Sequence, residues 1–182
     1  MDKKALIRKK YFLKRKKHYF QISKNFFNPL RDLIEKISFK KKIKISIYYP
    51  SSYEVDVLRI FKIDIIKRLE LLLPIIKNGN MNFYKWKKND VLLINKYGIP
   101  EPLKSNMKIP KIILVPLLSF DENKNRLGYG KGFYDKFLTK YLKLNQKIIT
   151  IGVAFSFQKY HNLPVNNKDV KLDYIITEKG IN

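Results

Sequence analysis

The chain has 182 residues, 45% of them apolar and 14% aromatic, with no cysteine and a formal net charge of +24 at pH 7. That composition excludes disorder throughout, disulfides and a thiolate metal site, and no apolar run approaches the length of a membrane span. The size suits a single domain over residues 1–182, and the positive field draws either nucleic acid or small anionic ligands.

In chain order, residues 3–36 read as one or two basic amphipathic helices. Leu6, Phe12, Leu13 and Phe20 form an interrupted apolar stripe, and Asn28-Pro29 marks a break. Ile43, Ile45 and Ile47 alternate with Lys44 and Ser46, which is strand periodicity. After a Pro50-Ser51-Ser52 loop, Leu58, Phe61, Ile65, Leu69 and Leu72 recur at three- and four-residue spacings, predicting a helix over 54–70. Pro74 makes the apolar run 71–76 an edge or terminal strand. Asn78-Gly79-Asn80 is a turn, and 81–86 is expected to pair with 91–94 as antiparallel strands.

Residues 97–110, with three prolines, read as loop. The continuous apolar run 112–118 is expected to be a strand covered on both faces. A polar turn at 121–125, a glycine-rich stretch, a helix over 133–144, a buried strand at 148–155 and a short strand at 174–177 complete the chain. Alternating strands and helices predict an α/β fold, a three-layer domain with a mostly parallel central sheet flanked by helices.

The densest chemistry lies in Arg126-Leu127-Gly128-Tyr129-Gly130-Lys131-Gly132-Phe133-Tyr134-Asp135, where three of the chain's seven glycines fall within five residues. Glycine permits positive φ and close approach, successive N–H groups form an anion nest, and the following helix offers its positive end. Arg126 and Lys131 add cationic charge. The pattern is neither a Walker A loop nor the dinucleotide fingerprint. Read alone, it fits a nucleotide-phosphate site or a plain strand-to-helix turn.

Asp135 falls in the first helical turn, where an acid complements the helix dipole or ligates Mg²⁺. Asp169 and Asp173 follow the next strand and are positioned to converge there. Lys4 and Arg8 share a helix face. No serine, cysteine or histidine constellation suggests a covalent nucleophile, and His18 and His161 do not form a ligand pair by spacing.

Together the segments resemble the 5-formyltetrahydrofolate cyclo-ligase (methenyltetrahydrofolate synthetase) family. The resemblance rests on Val115-Pro116, then Phe120-Asp121, then the stretch 126–135. It is extended by Lys4 to Arg8, Glu54-Val55-Asp56, Gly98 to Pro102, Ile151 to Phe155 with Gln158, Leu163-Pro164, Asp169, and Leu172 to Glu178, in that order. It runs from Lys4 to Glu178, and the resemblance therefore implies that no presequence is removed. Leu117-Leu118 departs from the glycine usual in relatives at that point.

The resemblance implies ATP binding by Lys4, Arg8 and residues 126–134, that is Arg126, Leu127, Gly128, Tyr129, Gly130, Lys131, Gly132, Phe133 and Tyr134. It implies folate contact by Tyr49, Glu54 and residues 129–133, with Lys131 and Arg126 central to catalysis. Mg²⁺ falls to Asp135 and Asp169, with Asp173 a weaker candidate. The implied partners are ATP and 5-formyltetrahydrofolate, polyglutamylated or not, with no membrane and no specific nucleic acid, in a cytoplasmic monomer.

Overall fold

A computed structural model describes residues 2–37, 42–144 and 147–182. Helix α1 (Lys3–His18) is capped by Asp2, whose carboxylate accepts from Lys4 N at 2.9 Å, and its last turn is basic throughout. It buries Ile7, Tyr11 and Arg15, one residue per turn. The chain leaves α1 at Tyr19, well before Asn28-Pro29. That pair instead opens α2 (Asn28–Ile37), where proline costs no helical hydrogen bond.

Among the described residues twelve strands follow. They are β1 (Ile43–Ser46), β2 (Leu69–Lys77), β3 (Asn80–Lys85), β4 (Leu92–Ile94), β5 (Pro100–Pro102), β6 (Met107–Lys108), β7 (Ile112–Pro116), β8 (Ser119–Phe120), β9 (Arg126–Leu127), β10 (Ile149–Val153), β11 (Tyr174–Thr177) and β12 (Gly180–Ile181). Helix α3 (Phe133–Lys143) lies between β9 and β10. Eight strands form one sheet in the order β12-β11-β10-β7-β1-β2-β3-β6. The five from β11 to β2 are parallel, and antiparallel strands close both edges. This is the expected α/β architecture.

Strand β7 shows the three layers residue by residue. Ile112 and Leu114 pack with Leu30 and Ile34 of α2, while Ile113 and Val115 pack with Phe137 and Leu138 of α3. All four β7 residues are fully buried, so each contributes about 1.5–3 kcal/mol of burial.

Three local expectations fail, each for a physical reason. Residues 54–70 form no α-helix but two 3-10 turns, Val57–Lys62 and Asp64–Arg68, followed by β2. Val57 and Ile60 are buried three residues apart, the 3-10 period, and the segment is crowded with β-branched residues that disfavour a long helix.

Strand β2 is internal, between β1 and β3, despite Pro74. Leu72 O accepts from Ile47 N and Leu71 O from Trp86 N, so alternation turns Pro74 toward the β1 side, beyond the end of β1, where no strand needs its missing N–H. Ile76 N, two residues on, gives its hydrogen to the Glu101 carboxylate at 2.8 Å instead.

Strand β3 does not pair with β4. Residues 92–102, partly read as loop, form a separate β4–β5 ribbon, and β6 takes the free edge of β3.

Candidate active site

The chain runs outward from β1 to β2, then returns to the other side of β1 as β7 and continues to β10. The sheet therefore reverses its order between β1 and β7, and in such sheets the crevice beyond the strand ends there is the usual ligand site. A cavity of about 1160 Å³ lies at that position, with Tyr48 and Tyr49 from beyond β1 and Pro116 at the end of β7 in its wall.

The glycine stretch is delivered by the β8–β9 hairpin. Its turn is fixed by buried Asp121, which accepts from Asn125 N at 3.0 Å, Asn125 Nδ2 at 2.9 Å and Leu163 N at 3.2 Å. Residues 128–132 then line the cavity and α3 begins at Phe133, the strand-to-helix placement expected from sequence. Gly130 has φ +90°, and Arg8 lies directly against it: a Cβ built there stands 3.2 Å from Arg8 Cζ. Arg8 Nε also donates to Gly128 O at 3.0 Å. Lys131 is exposed on the rim.

Two ion pairs flank this loop. Arg126, its side chain only 5% exposed, bonds Asp135 Oδ1 at 2.6 Å and donates to Val170 O. Val170 N donates to the same Asp135 oxygen at 3.1 Å. Next along the chain, Asp169 Oδ2 accepts from Lys4 Nζ at 2.6 Å and from Asn166 N at 2.8 Å. Asp135 and Asp169 therefore reach one wall of the cavity from α3 and from the loop before β11. Among the described residues the bonds to each carboxylate fall on a single oxygen. That suits a hard cation, which takes one or two carboxylates and completes its shell with ligand oxygens. No group of three or more His, Cys, Asp or Glu able to hold a metal occurs among the described residues.

The cavity is also lined by Glu54, almost wholly buried. Its Oε1 accepts from Tyr129 OH at 2.7 Å, and its Oε2 from Ser51 N at 2.9 Å. Burial pushes the Glu54 carboxyl above its ordinary value, while the Ser51 N–H, the Tyr129 phenol and the Arg15 charge pull it back. Tyr129 and Tyr134 are raised, first by burial and then by the Glu54 charge. Pro74, Ile76 and Met81 supply an apolar face beside them.

Lys4, Arg8, Tyr49, Glu54, residues 126–135 and Asp169 are all brought to this one cavity. Asp173 is not: its carboxylate accepts from Thr150 N at 2.7 Å and Thr150 Oγ1 at 2.8 Å, holding the start of β10. Leu117, at the departure from the family pattern, fills space beside Gly152, where a built Cβ stands 2.8 Å from Leu117 Cδ2. Sequence reasoning missed Arg15, Ser51 and the ribbon residues Asn95 and Tyr97. Arg15 carried a legible mark, since 4, 8, 11 and 15 share one face of α1.

A parallel α/β sheet with a lysine- and arginine-rich cavity at its switch point defines a class of proteins that hold anionic ligands at strand ends. Within it, the chain belongs to the 5-formyltetrahydrofolate cyclo-ligase family, whose model matches residues 1–178. A 5-formyltetrahydrofolate cyclo-ligase of Haemophilus influenzae is 29% identical over 150 residues, 78% of this chain and 77% of that protein. A probable 5-formyltetrahydrofolate cyclo-ligase of Schizosaccharomyces pombe is 33% identical over 116 residues, so the match spans 56% of this chain and 57% of the relative. The solved 5,10-methenyltetrahydrofolate synthetase of Aquifex aeolicus superposes with a TM-score of 0.75 at 30% identity, covering 98% of this chain and 91% of that one. The Mycoplasma pneumoniae 5,10-methenyltetrahydrofolate synthetase gives 0.70 at 26% identity, covering 97% and 99%.

Proposed function

We propose that the chain, acting as one domain over residues 1–182, converts 5-formyltetrahydrofolate to 5,10-methenyltetrahydrofolate at the expense of ATP, with Mg²⁺. The observation that carries the reading is the one cavity that the glycine loop 128–132 and Glu54 both line, tied together by Tyr129. Such a cavity can hold two ligands, one at the loop and one at the acid. Family membership across residues 1–178 supports the same chemistry.

In the proposed reaction the N5-formyl oxygen attacks the γ-phosphorus, forming an O–P bond as ADP leaves. The N10 amine then attacks the formyl carbon, the carbon–oxygen bond breaks, phosphate departs with that oxygen, and N10 loses its proton. Phosphorylation turns a poor leaving group into a good one, so the protein's work is positioning and charge neutralisation. Loop amides 128–132, Arg8, Lys4, Arg126 and Lys131 would seat the triphosphate, with Leu127, Phe133 and Tyr134 completing the nucleotide wall. Tyr49, Glu54 and Tyr129 would hold the folate. The unbonded oxygens of Asp135 and Asp169 would hold Mg²⁺, which supplies further charge neutralisation on the phosphates.

Lys136, Lys140 and Lys143 follow one another along α3 beside the cavity, which favours a substrate with an acidic glutamate tail. Monomeric action in the cytoplasm is part of the same proposal. No helix among the described residues is long and apolar enough to cross a membrane.

The test is spectroscopic. Purified protein with 5-formyltetrahydrofolate, ATP and Mg²⁺ is expected to generate methenyl-folate absorbance, and to generate none without ATP. Absence of product in the complete mixture would remove the reading.

A further inference from the structure

The last turn of α1 buries an arginine that this chemistry leaves unused. Arg15 is 1% exposed, and none of the ion pairs among the described residues includes it. A guanidinium removed from water without a carboxylate beside it is costly unless its N–H groups find acceptors. Arg15 spends them on three separate segments. Its NH1 donates to Leu117 O at 3.1 Å, just past β7, and its NH2 donates to Ser52 O at 2.7 Å and to Tyr129 OH. Its Cζ lies 5.6 Å from the centre of the Tyr129 ring, and its Nε is buried without a partner. Tyr129 in turn donates to Glu54 Oε1 at 2.7 Å, so the arginine reaches a compensating negative charge through one phenol.

The loop it touches is strained. Ser52 and Tyr53 both adopt left-handed backbone, with φ +49° and +62°. Two adjacent non-glycine residues in that region persist only where their surroundings hold them. The Arg15 bond to Ser52 O and the Ser51 N–H bond to Glu54 are such restraints.

We propose that Arg15 is a positioning residue: through Ser52 and Tyr129 it locks loop 51–54 to the glycine loop and presents Glu54 to the cavity as a carboxylate. The consequence for catalysis rests on the proposed role of Glu54 as a folate contact. The other titratable groups facing Glu54 are Tyr48 from beyond β1, Tyr129 from the glycine loop and Tyr134 from α3. Burial raises all three phenols, keeping them neutral, so Arg15 supplies the positive charge that favours ionised Glu54.

The experiment follows the Glu54 carboxyl by NMR in protein labelled with ¹³C-glutamate, assigned with Glu54→Gln, in wild type, Arg15→Met and Arg15→Lys. The KM for 5-formyltetrahydrofolate is measured across the same pH range. Arg15→Met is expected to move the Glu54 titration upward, with KM rising at the acid end of the range, where the carboxyl takes up its proton, and little at about pH 9. Arg15→Lys restores the titration. An unmoved titration in Arg15→Met, or a KM raised equally at both ends of the range, overturns the proposal. Should Arg15→Met fail to fold, Arg15→Gln keeps amide donors for Leu117 O and Ser52 O but removes the charge; it is expected to show the same upward shift, and an unchanged carboxyl there overturns the proposal. Wild-type protein that makes no methenyl-folate defeats the proposed function, and the carboxyl titration still decides the role of Arg15.

Discussion

Lys4 Nζ lies 2.6 Å from Asp169 Oδ2, so the first turn of the chain is tied to a residue 165 positions later, at the mouth of the cavity. Both side chains keep partial exposure, 20% and 28%, and a pair of that kind contributes at most about 1 kcal/mol to stability. The value of the contact lies in position. Lys4→Ala is expected to raise the KM for ATP about tenfold while moving the melting temperature by no more than about 4 °C. Steady-state kinetics and a thermal melt check both halves.

Arg126 and Asp135 make a different pair, because the arginine is almost fully buried and Val170 is bonded to both partners. Asp135→Asn leaves that cation without its charge and is expected to cost about 1–3 kcal/mol of stability as well as most of the turnover. Lys131 stands exposed on the rim, so Lys131→Ala is expected to lower turnover with no change in stability. Denaturant melts of the two variants beside their kcat values separate the cases.

The glycine loop distinguishes its own members. At Gly130 a methyl group meets positive φ and the Arg8 guanidinium together, whereas at Gly128 nothing lies within 4 Å of a built Cβ. Gly130→Ala is expected to cost about 1–2 kcal/mol and to weaken ATP binding by displacing Arg8. Gly128→Ala is expected to keep wild-type stability. Calorimetric titration with ATP and chemical denaturation of both variants test the contrast.

Glu54 gives the pH dependence a sign. Its native carboxyl titrates above its ordinary value of 4.5 because burial disfavours the charge. In the window just above 4.5 the folded state therefore binds more protons than the unfolded chain, and this group's contribution to stability falls as pH rises through it. The stability of wild type relative to Glu54→Gln is expected to decline across that window, by urea unfolding at stepped pH. A difference that grows with pH contradicts the burial argument.

The sequence carries the glycine-loop side of the cavity clearly and the Glu54 side poorly. Gly128, Gly130, Lys131 and Asp135 sit in one contiguous stretch, where local spacing alone dictates loop and helix start. Lys4 and Arg8 are recognisable as one helix face. The Arg15–Tyr129–Glu54 chain joins residues 39 to 114 positions apart, and no periodicity announces such contacts. The same limit explains the elements that differ. Leu58, Phe61 and Ile65 share their spacing with an amphipathic helix, yet the tertiary packing of Val57 and Ile60 selects 3-10 turns. Pro74 reads as an edge residue until β1 is seen to end before reaching it. Strand partners for 92–94 depend on which edge is left open, and that is settled by β6.

The proposed seat of the triphosphate is the backbone of residues 128–132. Amide resonances of the ¹⁵N-labelled protein, followed while ATP and Mg²⁺ are added, test it most directly. The largest shifts are expected at Gly128, Tyr129, Gly130, Lys131 and Gly132, with Arg8 side-chain resonances moving alongside. A saturable titration that leaves those amides in place and perturbs another surface contradicts the claim.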